Sequence, residues 1–355
     1  MNHKTKVNPG RFFEDFVLNQ VIHHATPRTI TAGDASLYIA LTGARNPMHC
    51  STPFANSLGY HSTPIDDLLA FHIAFGKTVP DISINAVANL GYADVRFLHP
   101  LFVGDTLHTS SQVIGLKQNS NGKSGVVWVR STTTNQQNIV VLSWVRWVMV
   151  HKNALNVAAP KPVIPDLPNQ VRIEDMHLPP YFKAHHEISN ATGGQYYWED
   201  YQAGERINHV AGATINPAEH TLATRLYQNN ARLHFDDYLM KQSSFGQRLV
   251  YGGVVISLCR ALSFEGLENA LTILAINAGT HANPSFAGDT IYCATEVIDK
   301  YTLPGRDDMG ALRLRMIGIK DCLPSELDAF KSETSDHPNV VLDLDYTVAM
   351  PRRGE

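Results

Sequence analysis

Two apolar stretches of the chain read as helices, and one of them carries its apolar residues at helical spacing. In "GGVVISLCRALSFEGL", Val255, Leu258, Cys259 and Leu262 recur at i, i+3, i+4 and i+7, the stripe of a helix that buries one side. "DDLLAFHIAFGK", from Asp66 to Lys77, is a second apolar helix. Behind each lie segments that alternate or run apolar, such as "VLSWVRWVMV", and these read as strands. Each half of the chain therefore predicts a short first strand, a helix, a loop, an apolar helix and three or four strands. A long antiparallel sheet wrapped on such a helix would bury it on nearly every side, which makes the fold class α+β, given twice. Two such sheets can join edge to edge and so cover their exposed edges.

The two halves repeat. "FFEDFVLNQVI" near the start matches "YWEDYQAGERI" from Tyr197 to Ile207, with Glu14 on Glu199 at a shift of 199 − 14 = 185. The same shift carries Thr29-Ile30 onto Thr214-Ile215, and His49 onto His234. "HPLFVGDT" matches "NPSFAGDT" at 184, and "VVLSWVRWVMV" matches "VVLDLDYTVAM" at 200. The second half has thus gained about fifteen residues, assigned to the polar stretch "DCLPSELDAFKSETSDHPN". A repeat this long is a duplicated domain, since solenoid units are much shorter. Between the halves, "VAAPKPVIPDLPNQ" has four prolines and reads as a linker. The expected division is an N-terminal unit over 1–157, a linker over 158–190 and a C-terminal unit over 191–355.

Composition narrows the function. With 44% hydrophobic and 17% charged residues, the chain has the makings of a packed core. A net charge of −4 gives no electrostatic case for nucleic acid. No apolar run approaches a membrane span, and the N-terminus has no apolar signal region, so a cytoplasmic protein is expected. Cys50, Cys259, Cys293 and Cys322 are scattered and lack metal-ligand spacing. The adjacent pairs His23-His24 and His185-His186 do not share a helix face, so no metal is expected there.

The candidate chemistry lies in "LYQNNARLHFDDY", where Asn229, Arg232 and His234 crowd one loop. Its first-half counterpart is "TGARNPMH". These segments resemble the MaoC-like, (R)-specific enoyl-CoA hydratase family, whose motif is roughly G-D-x-N-P-x-H followed by a glycine that opens the central helix. Gly252 lies 252 − 234 = 18 residues after His234, as that pattern requires, and "FVGDT" and "FAGDT" match a later family segment. The resemblance covers nearly the whole chain apart from the linker and the inserted loop. It implies a tandem hot-dog fold, a long helix wrapped by an antiparallel sheet in each half. The implied activity is that of a hydro-lyase on an acyl-CoA thioester, without a cofactor. Both motifs depart from the pattern. Ala44 and Asn229 stand where the family's aspartate would be, and Arg232 replaces the second copy's proline.

Hydrating an enoyl thioester requires deprotonation of water, protonation of the α-carbon and stabilisation of the thioester oxygen. Histidine suits the proton steps, and a backbone N–H at a helix start suits the oxyanion. His234 is therefore the expected acid/base, and Gly252 the oxyanion donor. An amide cannot act as a general base, so Asn229 is expected to orient water, unless Asp236, Asp66 or Asp67 supplies the acid. Arg232 is expected to bind a carboxylate on the acyl chain, ahead of Arg225 and Arg260, which would make the substrate a branched, carboxylated enoyl-CoA. Tyr251, His49 and Asp66 are expected in the acyl pocket, and Arg248 near the coenzyme A entrance. Asp105 and Asp289 read as turn residues, and Trp144, Trp147 and Tyr346 as core or sheet residues. Hot-dog units commonly associate, so a homodimer is a candidate assembly, and whether two chains pair is left open by the sequence. A hot-dog thioesterase and a non-catalytic acyl-CoA binder are the rival readings.

Overall fold

The computed structural model describes residues 6–185, 187–327 and 337–354. The first half opens with strands β1 (Val21–His23) and β2 (Arg28–Thr29) and helix α1 (Ala32–Thr42). Thr31 caps α1 in a reciprocal box with Asp34, and Gly43 closes it at φ 72°. Short helices α2 (Pro47–Cys50) and α3 (Thr52–Ser57) lead to the central helix α4 (Asp67–Ile82). Strands β3 (Ala86–Phe97), β4 (Thr106–Gln118), β5 (Ser124–Thr134) and β6 (Val140–His151) complete the half.

The second half repeats this order after a short helix α5 (Ile188–Thr192): β7 (Arg206–Asn208), β8 (Ala213–Thr214), α6 (Pro217–Leu226), α7 (Asp237–Met240) and the central helix α8 (Gly252–Leu262). Strands β9 (Thr272–Thr280), β10 (Thr290–Thr302), β11 (Met309–Lys320) and β12 (Val340–Pro351) follow. Asn216 caps α6 and Pro217 occupies its first turn. Of the inserted polar stretch, residues 328–336 lie outside the described residues.

The sheet is continuous and antiparallel, in the order β1-β4-β5-β6-β3-β9-β12-β11-β10-β7, with β2 on β4 and β8 on β10. β3 and β9 pair where the halves meet, Tyr92 opposite Gly279 and Arg96 opposite Ala275, so neither edge is left open. The expected α+β tandem hot-dog is what the chain adopts. α4 is buried over nearly its whole length, which is why "DDLLAFHIAFGK" carries little periodicity of its own. His72 on α4 and Ser257 on α8 are counterparts at the shift of 185 and meet at 3.1 Å. The linker crosses the sheet: Val163 bridges to Leu116, and the Val171 N–H donates to Asn277 Oδ1 at 2.9 Å.

The turn aspartates are structural, Asp105 accepting from the Phe102 N–H and Asp289 from the Phe286 N–H. Trp144 and Tyr346 are fully buried. No helix among the described residues is long and apolar enough to cross a membrane.

Candidate active site

The duplication supplies two helix starts, and they differ. At α4, Asp66 caps its own helix, accepting from the amides of Leu68 (2.9 Å) and Leu69 (3.4 Å). Asp67 accepts from the Ile273 N–H and the Thr272 hydroxyl, both at 2.8 Å. At α8, Tyr251 holds the cap position and no side chain among the described residues caps the helix. The Gly252 N–H makes no hydrogen bond among the described residues. An uncapped helix start offers unpaired donors and a favourable dipole to an incoming oxyanion.

The histidines also differ in surroundings. His234 ends a short 3-10 turn, Arg232–His234. Its Nδ1 lies 2.9 Å from the Leu249 carbonyl oxygen, which has no proton to give, so Nδ1–H is the donor. That fixes the tautomer with the Nε2 lone pair available. Burial lowers the His234 pKa to about 4, so the ring is neutral near pH 7. His49 repeats the arrangement with Pro64 O at 3.2 Å, but its Nε2 stands 4.0 Å from Asp67.

A cavity of about 500 Å³ opens at α8. Its second-half wall includes Asn229, His234, Tyr251, Gly252, Val255 and His281, and its first-half wall includes Phe75, Val79, Asn89, Tyr92 and Arg146. By contrast the void beside His49 and Asp66 measures about 30 Å³, room for about one water. Asn229 is 3% exposed; its Oδ1 accepts from the Ala231 N–H at 3.0 Å and its Nδ2 has no partner among the described residues. The ring of His281 packs against Gly252 and its Nε2 lies 3.0 Å from Tyr92 Oη. Burial lowers the His281 pKa to about 4 as well. Tyr251 Oη and both polar atoms of the Asn89 side chain are buried without partners among the described residues. No aspartate or glutamate lines the cavity among the described residues.

Several expectations need correction. Arg232 is exposed and absent from the cavity wall: the first position of its short turn aims it outward. His49 and Asp66 are not in the cavity, because Asp66 is used as a helix cap and His49 faces Asp67. The first half does shape the pocket, but through other residues. Asp236 is exposed and caps α7, so neither it nor Asp66 nor Asp67 replaces the missing acid. Arg225 stacks over Phe235, and Arg260 donates to the Ala270 carbonyl; neither reaches the cavity. Arg248 donates to Thr221 Oγ1 and also lies off the wall. Of the paired histidines, His24 is buried between Asp81 and Ser111, while His186 lies outside the described residues.

Sequence reasoning missed Arg146, Tyr92 and His281. Arg146 had a signal: in "VLSWVRWVMV" the alternation places it on one face with Trp144 and Val148, both fully buried. An arginine on the core face of an apolar strand asks for a reason.

Residues 2–322 match the family model described as mesaconyl-CoA hydratase. The β-methylmalyl-CoA dehydratase of Chloroflexus aurantiacus is 56% identical over 98% of this chain and 99% of its own. The mesaconyl-CoA hydratase of Cereibacter sphaeroides is 51% identical over 98% and 100%. A crystal structure of a MaoC-domain dehydratase from Chloroflexus aurantiacus superposes with a TM-score of 0.96 at 55% identity, covering 99% of this chain and 100% of that one. A double hot-dog protein from Mycobacterium tuberculosis shares the fold at a TM-score of 0.76 and 24% identity, covering 96% and 98%.

Proposed function

This chain belongs to the mesaconyl-CoA hydratase family, and from that premise we propose that it is a hydro-lyase interconverting mesaconyl-C1-CoA and β-methylmalyl-CoA. One observation carries the mechanism: His234 Nε2, unpartnered among the described residues, and the uncapped start of α8 belong to the same cavity.

Water binds between Asn229 and His234. The Asn229 Nδ2–H donates to the water oxygen, and the water donates to His234 Nε2. As the oxygen bonds to the β-carbon, His234 takes the proton, and the electron pair of the double bond moves towards the thioester oxygen. The Gly252 N–H and the α8 dipole hold that charge. The α-carbon then takes the proton from the His234 imidazolium, and the ring returns to neutral. In reverse, the same groups remove water. The half-exposed Val87 and Phe245 border the cavity and offer an apolar approach for the pantetheine arm. A cytoplasmic location, where acyl-CoA thioesters are handled, goes with this reading.

The test is purified protein with mesaconyl-C1-CoA. Enoyl-thioester absorbance should fall while a thiol reagent detects no free coenzyme A. Thiol release without loss of the double bond would support a thioesterase instead. A chain that binds the thioester and leaves it unchanged would be a binder only.

A further inference from the structure

Arg146 sits on the inward face of β6, is 0% exposed, and yet lines the cavity. Three partly buried arginines in this chain are paired with acids: Arg313 with Asp345 at 2.5 Å, Arg315 with Asp343 at 2.6 Å and Arg28 with Asp34 at 2.5 Å. Arg146 has no ion pair among the described residues. Its neighbours are neutral: Thr78 Oγ1 at 2.8 Å, Ser83 Oγ at 3.4 Å and the Phe75 ring at 4.3 Å. Its Nε is buried with no partner among the described residues.

A buried guanidinium without a counter-charge is costly, of the order of several kcal/mol. It cannot escape by losing its proton, since burial lowers its pKa only to about 10. Nor does the fold demand an arginine here: the second-half counterpart, at 346 − 146 = 200, is Tyr346, equally buried. The described cavity wall offers no carboxylate. No described residue supplies the missing negative charge, and an anionic group entering the cavity would.

We propose that Arg146 binds the free carboxylate of the acyl group and thereby selects a carboxylated enoyl-CoA; this rests on the hydratase reading. The carboxylate of a mesaconyl group hangs from the carbon that receives water, so its anchor has to share a cavity with His234. Arg146 does. The planar fork matches a carboxylate, and the closed, weakly polar surroundings strengthen the pair. Coenzyme A phosphates are a poorer match, because they sit at the far end of a long arm while Arg146 is wholly buried.

The test compares Arg146→Met and Arg146→Lys with the wild-type chain on mesaconyl-C1-CoA and on crotonyl-CoA, which lacks the carboxylate. Arg146→Met should lose about 10²- to 10³-fold in kcat/KM with the dicarboxylic substrate. With crotonyl-CoA it should stay within about threefold. Calorimetric affinity for methylsuccinyl-C1-CoA, which cannot be hydrated, should weaken in parallel, and that for butyryl-CoA should not. Should Arg146→Met not fold, Arg146→Lys keeps the charge without the fork and should show the same selective loss, about tenfold or more. Equal losses on both substrates, or none, overturn the proposal even if the wild type is a good mesaconyl-CoA hydratase. If the wild type fails to hydrate mesaconyl-C1-CoA but binds methylsuccinyl-C1-CoA through Arg146, the anchor stands and the reaction assignment falls.

Discussion

His234 Nδ1 lies 2.9 Å from the carbonyl oxygen of Leu249, and 185 residues earlier His49 Nδ1 lies 3.2 Å from that of Pro64. The two halves build the same imidazole mount, and what differs is what stands in front of each ring. His234 faces a cavity of about 500 Å³. His49 faces Asp67 across 4.0 Å, beside a void of about 30 Å³. In the first half, Asp66 caps the helix start and Asp67 stands before the ring.

His234→Asn should therefore abolish most of the turnover. Loss of a general acid/base slows the chemical step about 10²- to 10⁴-fold. The circular dichroism and melting point should stay close to wild type, because the amide can still donate to Leu249. Retained turnover in a folded variant would remove His234 from the chemistry.

His49→Ala should behave in the opposite way. Its ring does not line the cavity, so kcat/KM should stay within about threefold of wild type, as expected for distant, uncoupled sites. Stability should fall by about 1 kcal/mol, the Pro64 hydrogen bond being lost. A loss of activity of about a hundredfold at unchanged stability would mean that the first site works.

Gly252→Ala tests the oxyanion position. A Cβ there would meet the His281 ring at 2.3 Å (Cε1) and 2.4 Å (Nε2), closer than any real contact. His281 must move, and with it the bond to Tyr92 Oη. Turnover should slow by about a hundredfold or more, the typical scale for a disturbed oxyanion donor. A crystal structure should show the imidazole displaced. An active Gly252→Ala enzyme would place the thioester elsewhere.

These positions were readable in the sequence for a local reason. His234 and Gly252 belong to turns and helix starts, whose residues are set by short-range spacing, and the repeat marks both. Arg232 stands two residues from His234 in sequence, but the turn aims it into solvent. Arg146 is 234 − 146 = 88 residues away, and only the pairing of β6 with β3 and the packing on α4 bring it to the cavity. His281 has Phe97 as its counterpart at 184, so the repeat hides it. The wall formed by His234 and Gly252 was legible locally, whereas the far wall of the cavity depends on contacts distant in sequence.

Acid should destabilise the protein in the range where histidine normally titrates. Burial lowers the pKa of His72 to about 3, and of His209, His220, His234 and His281 to about 4. The unfolded chain takes up these protons near pH 6.5 and the folded chain resists until about 4. The contribution is thus complete above about 6.5 and is lost as pH falls through that window, by up to about 1.4 kcal/mol per histidine per pH unit. Asp67, whose pKa burial raises, acts in the opposite sense but is a single group. The melting temperature should drop between pH 7 and 5, and kcat/KM should show no acid limb near 6.5. A limb centred there would mean that the His234 imidazole is solvated.

Asn229→Asp restores the acid that the family motif carries, and it should make the enzyme worse with its own substrate. The change is nearly isosteric, and Oδ1 can still accept from the Ala231 N–H. A carboxylate is the stronger base, so geometry and basicity alone predict a gain. Charge predicts the reverse. The described cavity wall holds no acid, and a mesaconyl group brings its own carboxylate to the carbon next to the attacking water. Two like charges in a buried space repel by several kcal/mol unless one is neutralised. For mesaconyl-C1-CoA, kcat/KM should drop at least about tenfold at pH 8, mostly through KM. It should recover partly as pH falls and the introduced carboxylate protonates. Crotonyl-CoA carries no such charge and should be hydrated as well as before or better. If Asn229→Asp instead improves mesaconyl-C1-CoA turnover at pH 8, the asparagine is simple decay of the motif, and the idea that the substrate's own charge excludes an acid from this cavity is wrong.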